Sequence, residues 1–311
     1  MAMPLPQARY TRASPGPRTS QALHTFNEAC ATGHLDEVVD FIEGHRPLKD
    51  FLSQGLATAV RQGEPEVAEY LLRRGAVISK AITQAAIITQ SLPVFQVLLN
   101  YGWDINSWGV QGRTPLLNAV RDEAAVRWFL DHGADPNFGP PLNSQSDFPI
   151  ANSGSVLMAA ASGSSVAVFD LLLERGAKME LCQPLHAAAM AEKDGERISM
   201  MTHLLSLGLD VNGSDDSRGV YRFGTPLHHA SRCGGIEKVR FLLAHGADPE
   251  IRCRRGTTVL EEAYETGYRD IIALLRQVTS ARQTGVAGGP AGGPAAGAAG
   301  AAAPAGPAGP A

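Results

Sequence analysis

The chain punctuates itself at a nearly constant interval. Six stretches run from an apolar helix end through a glycine into a short polar turn: AEYLLRRGAVIS (68–79), FQVLLNYGWDIN (95–106), VRWFLDHGADPN (126–137), VFDLLLERGAKME (168–180), MTHLLSLGLDVN (201–212) and VRFLLAHGADPE (239–250). With Gly44 as a seventh, the glycines Gly44, Gly75, Gly102, Gly133, Gly176, Gly208 and Gly246 stand 31, 27, 31, 43, 32 and 38 residues apart. A period of this size marks supersecondary segments that cannot bury their own apolar faces, so neighbours must stack to cover one another. Glycine suits each stop because a helix often ends in a left-handed residue, where a β-carbon costs about 1–2 kcal/mol.

Upstream of each stop lies a first helix. TPLHHAS (225–231) is the clearest, with Thr225 placed to cap and Pro226 in the first turn, where its missing N–H does no harm. RTPLLNAV (113–120) has Leu117 in place of the histidine, QPLHAAA (183–189) has Gln183 in place of the threonine, and SVLMAAA (155–161) and TVLEEAY (258–264) are weaker echoes. These residues resemble the T-P-L-H-x-A signature of the ankyrin repeat family. The resemblance implies an all-α, curved solenoid of helix-turn-helix units joined by β-hairpin-like turns, with the histidines at 186 and 228 and the threonine at 225 hydrogen-bonding within and between repeats.

Eight segments are expected: 21–47, 48–79, 80–108, 109–138, 139–180, 181–213, 214–251 and 252–280. Those at 48–79 and 80–108 lack the Thr-Pro start, and the last ends without a glycine turn, as a capping repeat would. Within 214–251, Leu227, Ala230, Ile236, Val239, Leu242 and Leu243 follow helical spacing and form the expected interior. Insertions at 138–154, 191–199 and 213–224 map to surface loops. Residues 1–20, rich in Pro, Arg and Ser, and residues 281–311, almost purely Gly, Ala and Pro from 285 onward, read as disordered ends around an ankyrin repeat domain at 21–280.

Composition narrows the function classes. The chain has 311 residues, 44% of them hydrophobic and 6% aromatic, and a net charge of −4, against a protein wholly devoted to nucleic acid. Cys30, Cys182, Cys233 and Cys253 form no CxxC pair and read as reduced, mostly buried thiols of an intracellular protein, cytoplasmic or nuclear. No apolar run reaches the roughly 18 residues needed to span a bilayer, and no secretory signal is recognisable. Arg9, Arg12 and Arg18 precede the first acid, as in a transit peptide, but Pro4, Pro6, Pro15 and Pro17 break any amphipathic helix there. GxSxG, GxxxxGK[ST], HExxH and strand-borne GxGxxG motifs are all missing, so no catalytic residue and no cofactor is assigned.

Three clusters remain. His229 and Cys233 share a helix face at ligand spacing, but two ligands do not make a metal site. From Ser217 to Arg255, eight basic residues face three acidic ones, a local +5. Arg218, Arg222, Arg252, Arg254 and Arg255 fall in successive turns and Arg232 on a first helix, where the resemblance implies a concave recognition face. Together with Tyr221 and His229 they would dock an acidic segment of a protein partner. Trp103 and Trp108, flanking a turn, are a second candidate anchor. Asp104-Ile105-Asn106 and Asp210-Val211-Asn212 resemble asparagine sites hydroxylated in some ankyrin repeats, against a plain turn-holding role. The expectation is a monomeric, non-catalytic scaffold or adaptor. A targeting or inhibitory subunit of an enzyme complex is the alternative, with an unrecognised enzyme and nucleic-acid binding as minor ones.

Overall fold

Glycine stops and proline starts cut the chain into helix pairs. A computed structural model describes residues 17–45, 49–139, 152–192, 197–215 and 224–283, and among them are sixteen α-helices and no strand. The pairs are α1 (Pro17–Thr32) with α2 (Leu35–His45), α3 (Lys49–Gln62) with α4 (Pro65–Arg73), α5 (Lys80–Thr89) with α6 (Leu92–Asn100), and α7 (Pro115–Ala119) with α8 (Glu123–Asp131). They continue with α9 (Ser155–Gly163) and α10 (Val166–Glu174), α11 (Pro184–Met190) and α12 (Ile198–Ser206), α13 (Pro226–Arg232) and α14 (Ile236–Ala244), and α15 (Val259–Thr266) and α16 (Arg269–Gln283). The expected ends thus carry helix to Pro17 on one side and Gln283 on the other; the rest of both lies outside the described residues.

The chain divides into two compact bodies, Met1–Leu209 and Asp210–Ala311. In the first, α1, α3, α5, α7, α9 and α11 pack successively as one layer, and second helices pack on second helices from α2 to α4 to α6 and from α8 to α10 to α12. Phe26, Leu56, Leu71, Phe95, Leu98, Phe129, Leu157 and Phe169 fill the space between pairs and are almost fully buried. Gly55, inside α3, belongs to this packing: a β-carbon there would stand 2.7 Å from the Phe26 ring. In the second body α13 packs on α15 and α14 on α16. Leu227, Ala230, Val239 and Leu242 are fully buried there, while Ile236 and Leu243 are half-buried.

Six of the seven glycine stops have the left-handed backbone, with φ between 80° and 98°. Gly44 does not: it lies inside α2, which continues to His45. The His45 ring stacks on Phe41 at 4.4 Å, and its Nδ1 lies 3.0 Å from the Phe41 carbonyl, satisfying an end group without a glycine turn. His132 stacks likewise on Trp128 (4.0 Å between rings, 2.7 Å to the carbonyl) and His245 packs on Phe241 (4.0 and 2.8 Å), there just ahead of the left-handed Gly133 and Gly246. This aromatic-x₃-His closure recurs in FIEGH, WFLDH and FLLAH and was legible, though only the structure gives it meaning.

The polar turns after the glycines are tied by Asp-x-Asn. Asp104, Asp135 and Asp210 each accept the N–H of the asparagine two residues on, at 2.8–2.9 Å. Each asparagine reaches the following turn: the Asn106, Asn137 and Asn212 Oδ1 atoms accept from Asp135, Lys178 and Asp248 N–H at 2.8–2.9 Å. Their Nδ2 atoms donate to the carbonyls of Gly133, Gly176 and Gly246. The two asparagines considered for hydroxylation therefore hold turns together. Hairpin closure follows where Gly109, Ser153 and Cys253 N–H donate to the Arg113, Asn137 and Thr257 carbonyls at 2.8–2.9 Å.

The insertions are stitched back at their ends. Asn137 and Ser153 flank the first, of which 140–151 lie outside the described residues. From the second, buried Arg197 donates through Nη1 to the Ser164 carbonyl at 2.7 Å and the Ala161 carbonyl at 3.4 Å, closing the end of α9.

Candidate protein-interaction surface

The opening of α13 is set by its cap. Thr225 and His228 form a capping box, with His228 Nδ1 2.9 Å from Thr225 Oγ1 and accepting the Thr225 N–H at 3.3 Å. His228 is 1% exposed, and burial holds its imidazole below the ordinary value; the Glu262 carboxylate opposes that shift and the Arg232 charge adds to it. The scaffold role expected of this histidine is what the geometry provides.

The neighbouring residues correct the surface expected around it. His229 is not on the rim: it is 2% exposed, and its Nε2 lies 2.7 Å from Asp215 Oδ2. Asp215 also accepts the Gly224 N–H at 2.5 Å and donates its own N–H to the Gly224 carbonyl, so one carboxylate closes the base of the third insertion. Arg232 is likewise turned inward, its Nε and Nη2 donating to the two carboxylate oxygens of Glu262 at 2.7 and 3.1 Å, with side chains 12% and 2% exposed. Glu262 Oε1 accepts further from Cys253 Sγ and Thr257 Oγ1. Burial pushes the Glu262 carboxyl up, but the Arg232 and Cys253 hydrogen bonds and the Arg232 charge outweigh it and leave it below the usual carboxylate range.

The charge window also looks different in three dimensions. Arg252, Arg254 and Arg255 are exposed on one hairpin turn, but Arg252 pairs with Glu261 at 3.2 Å and Arg255 with Glu265 at 3.4 Å, both acids from α15. Lys238, counted among the positive residues, is fully buried. Asp215, Glu261, Glu262 and Glu265 lie just outside the sequence window, which is why the +5 overstated the patch. Arg218, Tyr221 and Arg222 lie outside the described residues.

Of the two tryptophans, Trp103 is a core residue rather than an exposed anchor. It is 6% exposed, its Nε1 donates to Thr83 Oγ1 at 3.1 Å, and its ring lies 5.2 Å from Phe95. Trp108 is half-buried, 6.3 Å from the Phe138 ring. Both line an open cleft of about 650 Å³ that also takes in Val77, Ile78 and Lys80. Sequence reasoning passed over this cleft's rim, since nothing in a degenerate segment marks which apolar residues stay outside.

Reactive chemistry is sparse. Burial pushes the Cys30 thiol up to about 12, far from a nucleophile's range, and none of the four cysteines forms a disulfide. Among the described residues no three His, Cys, Asp or Glu side chains are grouped to hold a metal ion, and no helix is long and apolar enough to cross a membrane.

The sequence is similar to those of known proteins. The family of ankyrin repeats (3 copies) matches residues 56–139 and 185–283, more than half of the chain. The ankyrin repeat and KH domain-containing protein mask-1 of Caenorhabditis elegans is 26% identical over 81% of this chain, an alignment covering 11% of that protein. The putative E3 ubiquitin-protein ligase XBAT34 of Arabidopsis thaliana is 41% identical over 23% of this chain and 18% of its own length. The putative ankyrin repeat protein FPV018 of fowlpox virus is 26% identical over 56% of this chain and 27% of its own. The chain thus spans little more than a quarter, at most, of the length of these relatives. With the family matched over most of its helix pairs, and with the Thr-Pro caps, glycine stops and Asp-x-Asn ties in place, this chain belongs to the ankyrin repeat family, whose repeats are a general protein–protein interaction module.

Proposed function

We propose that the protein is a non-catalytic adaptor that works inside the cell, in cytoplasm or nucleus, by holding an acidic segment of a partner protein on its exposed hairpin turns. One observation carries the reading: the Arg252–Gly256 turn presents three exposed arginines on a closed backbone, with the Cys253–Thr257 pairing and the Arg252 Nη1 donation to the Gly256 carbonyl at 2.6 Å fixing it. A surface ordered before binding avoids most of the entropy of ordering on contact. Arg252 and Arg255 are about 60% exposed in pairs whose acids are about half exposed. Such pairs are worth little, so a partner's carboxylates exchange with Glu261 and Glu265 at small cost.

The direct test is affinity capture with mass spectrometry, comparing the wild type with Arg252→Glu combined with Arg255→Glu. Partners should be depleted from the variant and released by moderate salt; identical partner sets would remove this turn from the function. The plant ligase relative favours a second reading, a targeting subunit of an enzyme complex, which the presence of enzyme subunits among the captured proteins decides.

A further inference from the structure

The two most exposed large apolar side chains of the described residues lie close together, far in sequence from the arginine turn. They are Ile88, 68% exposed on α5, and Val110, 61% exposed on the hairpin that follows α6. Gln84, one turn before Ile88 on the same face of α5, connects them, because its Oε1 accepts the Val110 N–H at 2.6 Å. The same tie occurs one repeat earlier, where Ser53 Oγ accepts the N–H of Val77, itself 56% exposed. Successive hairpin tips are thus pinned to successive first helices, each presenting a valine to solvent. The cleft with Trp108 opens beside the first of these tips, where Val77 and Lys80 line it.

Basic side chains lead on the two elements that present Ile88 and Val110. α5, KAITQAAIIT, contains no acid, and neither does the hairpin SWGVQGR (107–113). Lys80 lies on the stripe Lys80–Gln84–Ile88, one turn apart at each step, and Arg113 closes the hairpin of Val110; both are exposed. The cleft lining also holds one exposed acid, Asp104, whose Oδ1 accepts the Asn106 N–H, so that Lys80 and Arg113 stand as two cations against this one carboxylate.

Resting on the interaction-module reading but not on the arginine turn, we infer that α5 and the hairpin tips at 77 and 110 form a docking surface for a short protein segment in which aliphatic or aromatic residues are interspersed with Asp or Glu. The apolar side chains cover Val77, Ile88 and Val110 and enter the cleft beside Trp108, and the carboxylates face Lys80 and Arg113. Exposed apolar ground with a polar rim is the usual mark of such a site.

Three fluorescein-labelled synthetic peptides test this on the full-length protein by anisotropy: one alternating Leu/Phe with Glu, one with Lys in place of Glu, and one with Ser in place of Leu/Phe. The acidic–apolar peptide should bind at least about tenfold more tightly than either control. Ile88→Ser with Val110→Ser, and separately Lys80→Glu with Arg113→Glu, should each weaken it at least about tenfold at unchanged melting temperature. Equal binding of the three peptides, preference for the basic one, no binding at all, or indifference to both double variants overturns the inference. Arg252→Glu with Arg255→Glu, run alongside, keeps the two surfaces apart: a peptide lost only with that variant sits on the arginine turn.

Discussion

Two first helices of this chain, α13 and α5, occupy equivalent places in the repeat and use their side chains in opposite ways. In α13 every residue from Pro226 to Ser231 is buried, including two histidines and a serine, and Arg232 is drawn onto Glu262. α5 starts without Thr-Pro, buries Ile82, Thr83, Ala85, Ala86 and Ile87, and leaves Ile88 in water. The helix richest in recognisable motif is thus the one whose polar groups serve the stack. The helix that lacks the motif has the face free for a partner. In these two helices the family signature goes with polar side chains built into the stack, and its absence goes with an exposed apolar residue.

The contrast is most sharply tested at its buried ion pair. Glu262→Ala strands Arg232 and removes the acceptor for Cys253 and Thr257, and should cost about 3–5 kcal/mol in denaturant unfolding. A cost like that of a surface substitution would place Arg232 in solvent and cancel the difference between the two helices.

Acid should separate them next. His228 is held below its ordinary pKa, so the folded form takes up a proton less readily than the unfolded chain. Its contribution is full above about pH 6.5 and is lost as pH falls through that value toward the folded pKa. Glu262, held below its ordinary value, adds its own loss only below about pH 4.3. Melting temperature should therefore begin to drop between about pH 7 and 5, and His228→Leu should flatten that limb. Leu117 already occupies the same motif position in α7, almost fully buried. An unchanged limb would assign the acid sensitivity to another group.

The smallest effect belongs to α5. Ile88→Ser alters a side chain that is 68% exposed, and should shift stability by no more than about 0.5 kcal/mol. A larger loss in a thermal melt would mean that Ile88 is part of the core after all.

Much of the architecture was readable because its signals are local. A left-handed glycine, a Thr-Pro start and an Asp-x-Asn turn act over two to four residues, and they recur where the sequence repeats them. Gly44 shows the limit of even that rule, since a stacked histidine one residue later carries α2 past it. Gln90 shows the converse, a non-glycine residue in the left-handed conformation at φ 56° closing α5, with no glycine to announce it.

The candidate surface was much less legible. Whether an arginine, a histidine or a tryptophan faces water depends on a partner 14 to 30 residues away: Asp215 for His229, Glu262 for Arg232, Thr83 for Trp103. A charge sum over a window that ends at Arg255 leaves out Glu261, Glu262 and Glu265, which the fold sets beside those very arginines. The sequence by itself determined the period and the starts and stops of the helix pairs, because each is closed by hydrogen bonds among near neighbours, whereas the asparagine ties between turns reach 29 to 41 residues along the chain. The tertiary structure alone decided which polar side chains are consumed in the stack and which apolar ones are left outside it, because burial is a property of what the next repeat covers.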